Sequence, residues 1–196
     1  MAYELAKRTA DAEQQLATRD GLPARDGALL SARLQRRYHD RITGSFAIPG
    51  REGRYAPIPE SVPPALAAAL KARGIEQLYS HQAEAWEASQ RGEHVAIVTP
   101  TASGKSLCYT LPVVSAAMQD NAKALYLFPT KALAQDQVAE LLELNRAGDL
   151  GVKAFTFDGD TPGDARQAIR LHGDIVVSNP DMLHQAILPH HTKWAQ

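Results

Sequence analysis

Cysteine is almost missing from this chain. The single residue, Cys108, excludes an internal disulfide framework and suits a reducing compartment. No apolar run approaches the roughly 20 residues that a membrane span needs. The opening segment MAYELAKRTADAEQQL mixes both charge signs and has no apolar core, which excludes a signal peptide. An excess of charge is also lacking. With 21 Lys+Arg against 22 Asp+Glu the formal net charge is −1, so affinity for nucleic acid must come from local patches and not from a global basic field. Internal repeats and low-complexity tracts are absent. What remains is an ordinary globular composition: 196 residues, 44% hydrophobic and 22% charged, enough for one cored domain with an appendage. These features predict a soluble, cytoplasmic protein with no membrane association.

The chain changes texture along its length. Residues 1–43 favour helix and carry mixed charge, forming a helical N-terminal extension. Within it Leu29, Leu30, Leu34, Tyr38 and Ile42 fall near helical spacing, with Arg33, Arg36, Arg37 and Arg41 between them. Those arginines suit either a nucleic-acid contact or a solvated helix face, and the solvated face is the simpler reading of so short a run. Residues 44–63, rich in Gly and Pro, read as a linker or extended arm. From residue 64 the pattern turns rhythmic. A short helix stops at Gly74, and a second begins with Ser80 as its N-cap and ends at Gly92. Short apolar strands then alternate with helices: HVAIVT (94–99), KALYLF, VKAFTF and DIVVS are the strands. This alternation predicts an α/β fold, a parallel sheet with helices on both faces.

At the junction of the first strand and the next helix stands Thr99-Pro-Thr-Ala-Ser-Gly104-Lys105-Ser106. It meets the phosphate-loop pattern G-x-x-x-x-G-K-[ST] except that Thr99 replaces the first glycine, and the strand-loop-helix setting supports it. Main-chain N–H groups around residues 102–106 can cradle an anion at the helix N-terminus. Gly104 permits close approach, Lys105 reaches the β and γ oxygens, and the Ser106 hydroxyl can ligate Mg²⁺. Other features call for plain readings. Cys108 suits packing, Trp86 and Trp194 suit core or interface anchors, and the pair His190–His191 lacks further ligands at zinc spacing.

Five ordered segments, LYSHQAEA, TPTASGKS, LYLFPTKALAQDQ, FDGDTP and IVVSNPDMLH, resemble the first RecA-like domain of a superfamily 2 helicase. The likeness is to the DEAD/DEAH-box group, nearest its MrfA/YprA (Hrq-type) branch of DNA helicases, and covers roughly residues 60–196. It implies a P-loop NTPase (RecA-like) domain over 64–196, an ATP and Mg²⁺ requirement, and nucleic acid as partner, DNA more than RNA. It implies that Gln82 reads the adenine edge with Tyr79 beside the base. Thr101, Ala102, Ser103, Gly104, Lys105 and Ser106 match the triphosphate cradle, with Lys105 as the catalytic lysine and Ser106 as the metal ligand. Pro129, Thr130, Lys131 and Gln135 match a motif that contacts the nucleic-acid backbone. Gly159, and then Ser178, Asn179 and Asp181, match two further motifs of that groove. Thr130, Ser178, Asn179 and Asp181 are also good helix caps in their own right.

One expected pair is missing. Turnover in such enzymes needs an Asp-Glu carboxylate pair to hold Mg²⁺ and orient water, and the chain contains no Asp-Glu dipeptide. The resemblance places that motif on the strand after SNPDMLH, so the sheet is expected to be incomplete at its C-terminal end. The sequence therefore reads as the N-terminal ATP-binding part of a longer helicase, a fragment that binds nucleotide weakly and does not hydrolyse it. Two alternatives come from other classes. A different P-loop enzyme, such as a small kinase, would leave PTKALAQDQ and SNPDMLH without a role. A non-catalytic nucleic-acid or partner-binding module with a vestigial loop would not bind nucleotide.

Overall fold

The computed structural model describes residues 27–44 and 52–194, which fall into two units divided after Arg51. In the first unit α1 (Gly27–Arg37) opens the arginine-bearing segment. The helical spacing extends to Ile42, but the helix ends at Arg37 and a turn follows, the Tyr38 carbonyl accepting from the N–H groups of Arg41 and Ile42. Expectations for residues 1–26 and 45–51 lie outside the described residues.

In the second unit the Gly/Pro-rich arm supplies β1 (Tyr55–Pro57), which pairs antiparallel with β2 (Gln77–Tyr79). Proline is tolerated there because the strand has a free edge. Between them α2 (Pro64–Ala72) starts on a proline and stops before Gly74, whose φ of 77° needs no Cβ. β2 then runs straight into α3 (Ser80–Gln90). Ser80 is therefore not the N-cap. That position belongs to Tyr79, still extended at φ −65° and ψ 149°, and Gln82 reaches back to its N–H. No loop residue stands between strand and helix for a serine to cap. Trp86 is buried on α3, its indole N–H donating to Ser61 Oγ at 2.9 Å.

The rest is layered. α4 (Ser106–Asp120), α5 (Lys131–Gly148) and α6 (Gly163–His172) alternate with β3 (Ala124–Leu127), β4 (Ala154–Thr156) and β5 (Ile175–Ser178). The three strands are parallel in the order β3-β5-β4, and all four residues of central β5 are buried. A continuous apolar run is what a strand covered on both faces requires. On one face Tyr126, Ala154, Ile175 and Val177 join Leu111 of α4, Leu141 and Leu144 of α5, and Leu66 and Leu70 of α2. On the other, Val176 and Phe157 meet Ile169 of α6 and Ile187. After β5 a single helical turn, α7 (Pro180–Met182), gives way to irregular π and 3₁₀ turns through Lys193. Pro189 has no N–H with which to continue a regular helix there.

The strand predicted over 94–99 is not formed. Residues 93–100 have no regular structure, and Val98 is 93% exposed. An extended segment becomes a strand only when a neighbour takes its main-chain groups and a layer buries its side chains. Among the described residues no strand pairs with this segment, and β3 pairs with β5 alone.

Asp174 fastens the entry to all three parallel strands. Its carboxylate accepts from Lys123 Nζ at 2.8 Å and from Lys153 N–H at 2.9 Å. Burial pushes this carboxyl up, but those two donors together outweigh it and hold it below its ordinary value. The folded form is therefore stabilised above the unfolded pKa of about 3.9, and that stabilisation is lost as pH falls through the lower folded value. Replacing Asp174 by Asn should flatten the acid limb of a stability-versus-pH curve. Core and non-strand positions should also separate in urea unfolding of the chain. Leu111→Ala, at a fully buried site, should cost about 2–5 kcal/mol, whereas Val98→Thr should stay within about 0.5 kcal/mol.

Candidate functional site

The direct passage from β2 into α3 places Gln82 where its amide joins two segments. Oε1 accepts from Tyr79 N–H at 2.8 Å and Nε2 donates to the Gly104 carbonyl at 2.7 Å. Gly104 has to be glycine on two counts. Its φ is 72°, and a Cβ there would come within 2.6 Å of Gln82 Nε2. The amide keeps one N–H and one lone pair in hand. Gln82, with Tyr55, Tyr79, Ile75, Leu107 and Gly104, lines a cleft of about 650 Å³. Tyr55 and Tyr79 stack across the β1–β2 pair with centroids 5.0 Å apart, and His81 lies 5.7 Å from Tyr79.

The loop that follows is held by its own side chains. Thr99 stands at the position of the strict motif's first glycine, and its hydroxyl is 2.6 Å from Ser103 Oγ. Ala102 adopts a left-handed φ of 60°, a conformation that costs a residue with a Cβ about 1–2 kcal/mol. Lys105 donates its ammonium to the carbonyls of Thr99 at 2.9 Å and Pro100 at 2.7 Å. Thr101 is exposed. Ser106 opens α4 and lines a second cavity of about 440 Å³ with Tyr109, Thr110, Phe128 and Gln137. The Tyr109 hydroxyl donates to Gln137 Oε1 at 2.6 Å, tying α4 to α5. Burial pushes the Cys108 thiol up, as befits a packing cysteine.

Because the strands are parallel, the loops after β3, β4 and β5 lie along one edge of the sheet, where open α/β sheets bind ligands. Thr130 caps α5 as predicted, its Oγ1 accepting from Leu133 N–H at 3.3 Å. Pro129, Thr130, Lys131 and Gln135 are exposed. Lys131 reaches across to the loop after β4, donating to Asp160 Oδ2 at 2.6 Å, and this hydrogen bond raises its pKa. Gly159, next to it, is exposed, and a Cβ there would meet nothing within 4 Å. Asn179 caps α7 through Met182 N–H at 2.9 Å, and Asp181 is exposed in that first turn. Ser178 is different. It is 1% exposed and donates to the Phe157 carbonyl at 2.6 Å. It therefore caps no helix and faces no groove: the end of a central strand is inside the sheet, and its hydroxyl ties β5 to the loop after β4.

With these positions in view, the comparisons with known proteins are direct. The family model for DEAD/DEAH box helicases matches residues 79–196. The chain belongs to the DEAD/DEAH box helicase family. It is 52% identical over 157 residues to the ATP-dependent helicase YprA of Bacillus subtilis, a match covering 80% of this chain and 21% of that protein. Identity to the ATP-dependent helicase hrq1 of Schizosaccharomyces pombe is 41% over 150 residues, covering 74% of this chain and 14% of that one. The crystal structure of the helicase MrfA bound to DNA and AMPPNP superposes with a TM-score of 0.70 at 55% identity, covering 74% of this chain and 20% of that one. The chain thus spans about a fifth of the length of YprA and of MrfA. The three-stranded sheet flanked by helices is a RecA-like α/β fold.

Two residues of this helicase-family domain escape sequence reasoning. Tyr55, the outer wall of the Gln82 cleft, lies in a Gly/Pro-rich arm whose local pattern announces only extended chain. Arg166 sits on an ordinary polar helix, yet its guanidinium donates to the main chain of the loop after β4. Gln82→Leu should strand Tyr79 N–H and Gly104 C=O, lowering stability by about 1–3 kcal/mol. Amide exchange in residues 102–106 should rise together with the loss of melting temperature.

Proposed function

We propose that this chain is the nucleotide-binding N-terminal part of an ATP-driven helicase that acts on DNA. The observation that carries the reading is the Gln82 bridge, which joins the wall of the Tyr55–Tyr79 cleft to the phosphate loop at Gly104. The unused N–H and lone pair of that amide fit the adenine edge, which offers one acceptor and one donor side by side. The residues present also fit the triphosphate. Lys105 is seated on two carbonyls, neutral partners from which an anionic β,γ-phosphate can draw it by charge-assisted hydrogen bonding. Ser106, first in α4, would hold magnesium through its hydroxyl, and the metal, when bound, would neutralise charge developing on the phosphates. The chain has no Asp-Glu pair. Turnover therefore belongs to the full-length protein, the 196-residue chain by itself binding nucleotide weakly.

The strand-end loops are assigned to the nucleic-acid backbone. Pro129, Thr130, Lys131, Gln135, Gly159, Asn179 and Asp181 lie along one sheet edge, and Ser178 acts from beneath it by fixing the Phe157 carbonyl. Such contacts place a strand without reading its sequence. DNA is favoured over RNA because the similar helicase MrfA was crystallised with DNA.

In the full-length protein, Lys105→Ala should reduce DNA-stimulated ATP hydrolysis by about a hundredfold or more, with DNA affinity retained. Competition by RNA of the same sequence, measured in that assay, tests the DNA assignment: equal stimulation by both would overturn it. Robust hydrolysis by the 196-residue chain, abolished by Lys105→Ala, would overturn the assignment of turnover to the remainder.

A further inference from the structure

We infer that Arg166 is a positioning residue for nucleic-acid binding. By gathering the carbonyls of the loop after β4, it turns the Gly159 N–H outward as a phosphate donor. The inference rests on the reading that this sheet edge meets a nucleic-acid backbone. Arg166 lies half-buried in α6, and its guanidinium is 5.4 Å from the centroid of the buried Phe157 ring. Its Nε donates to the Thr161 carbonyl at 2.9 Å, and its Nη2 to the carbonyls of Asp158 at 3.1 Å and Gly159 at 3.4 Å. Among the described residues it forms no ion pair. A cation directed at three carbonyls of one four-residue turn shapes that turn instead of neutralising a charge.

The turn has internal ties as well. Asp158 N–H donates to Thr161 Oγ1 and Asp160 N–H to Asp158 Oδ1, both at 2.9 Å. Those ties occupy the N–H groups of Asp158 and Asp160, and Thr161 N–H bonds the Asp158 carbonyl at 3.2 Å. Gly159 N–H has no such partner among the described residues. Its orientation follows from peptide geometry: in a planar trans peptide C=O and N–H point opposite ways. With the Asp158 carbonyl drawn to Arg166, the Gly159 N–H of the same peptide faces away from the guanidinium, at an exposed residue where an added Cβ would meet nothing within 4 Å. Without the guanidinium, the Asp158 carbonyl would be held by the Thr161 N–H alone, and the Gly159 and Thr161 carbonyls would be free to turn toward an approaching phosphate and repel it. Lysine cannot replace arginine, because a single ammonium lacks the planar fork that spans separate carbonyls. At its far end the turn carries Asp160, whose carboxylate holds Lys131 of the neighbouring loop, so the shape set by Arg166 extends to the start of α5.

The test uses the full-length protein, with single-stranded oligodeoxynucleotide binding measured across a salt series, steady-state ATP hydrolysis and melting temperature. Arg166→Ala and Arg166→Lys should each raise the DNA Kd and the KM for DNA about tenfold. The KM for ATP and kcat at saturating DNA should be unchanged, and so should the slope of log affinity against log salt. Lys131→Ala, a direct phosphate contact, should instead reduce that slope by about one. A slope reduced by about one in Arg166→Ala would make Arg166 itself the phosphate ligand and overturn the inference, as would unaltered DNA affinity. If Arg166→Ala lowers the melting temperature, Gly159→Ala decides. Its Cβ meets nothing in the fold, so weaker DNA binding at an unchanged melting temperature supports the inference and unaltered binding overturns it. Failure of the wild-type protein to bind any oligonucleotide would overturn the backbone reading itself, and this inference with it.

Discussion

Everything in the larger unit is arranged around the burial of β5. Ile175, Val176, Val177 and Ser178 are covered on both faces and bonded on both edges, so this strand admits no slippage: a shift of one residue would exchange its two faces. Its partners inherit its register, and the loops that leave β3, β4 and β5 emerge at one level. Ser178 carries that constraint to the surface. Its hydroxyl fixes the Phe157 carbonyl, from which the loop shaped by Arg166 departs. Below, at the other end of the strands, Asp174 secures the entries. The chemistry expected along the exit edge is thus anchored by apolar packing that takes no part in it.

A second level of organisation joins the arm to the phosphate loop. Residues 55–57 are remote from Lys105 in sequence, yet β1 pairs with β2, β2 continues into α3, and the third residue of α3 bonds Gly104. Three consecutive local rules produce this: strand pairing, an uninterrupted strand-to-helix passage, and an N3 glutamine reaching back to its cap. The same passage displaced the cap from Ser80 to Tyr79, so the departure from the simple sequence pattern is what brings Gln82 to the loop.

The helices were legible because their boundaries are written in short-range chemistry: Pro64 and Gly74, Thr130 before Lys131, Gly92 after Gln90. The parallel strands of the sheet were legible as apolar runs of the right length. The run at 94–99 carries the same letters and forms no strand, since strand formation depends on neighbours that local letters do not encode. Ser178 shows the complementary limit. Its place in a cap-like sequence suggested a surface role, but being last in a buried strand turned its hydroxyl inward. Tyr55 and Arg166 could not be picked out for a third reason. Tyr55 stacks on a residue distant in sequence, Arg166 bonds the main-chain carbonyls of a nearby loop, and neither interaction leaves a residue pattern.

The unpaired side of β3 has its own consequence. Leu125 and Leu127 are each a little over 40% exposed on that strand, beside main-chain groups that no described strand takes up. A bare, apolar strand edge is a template for whichever extended segment arrives first. In a dilute, slowly refolding sample that segment can come from the same molecule, the unstructured run at 94–99 included. In a concentrated sample it would come from another copy, which is a route to cross-strand aggregation.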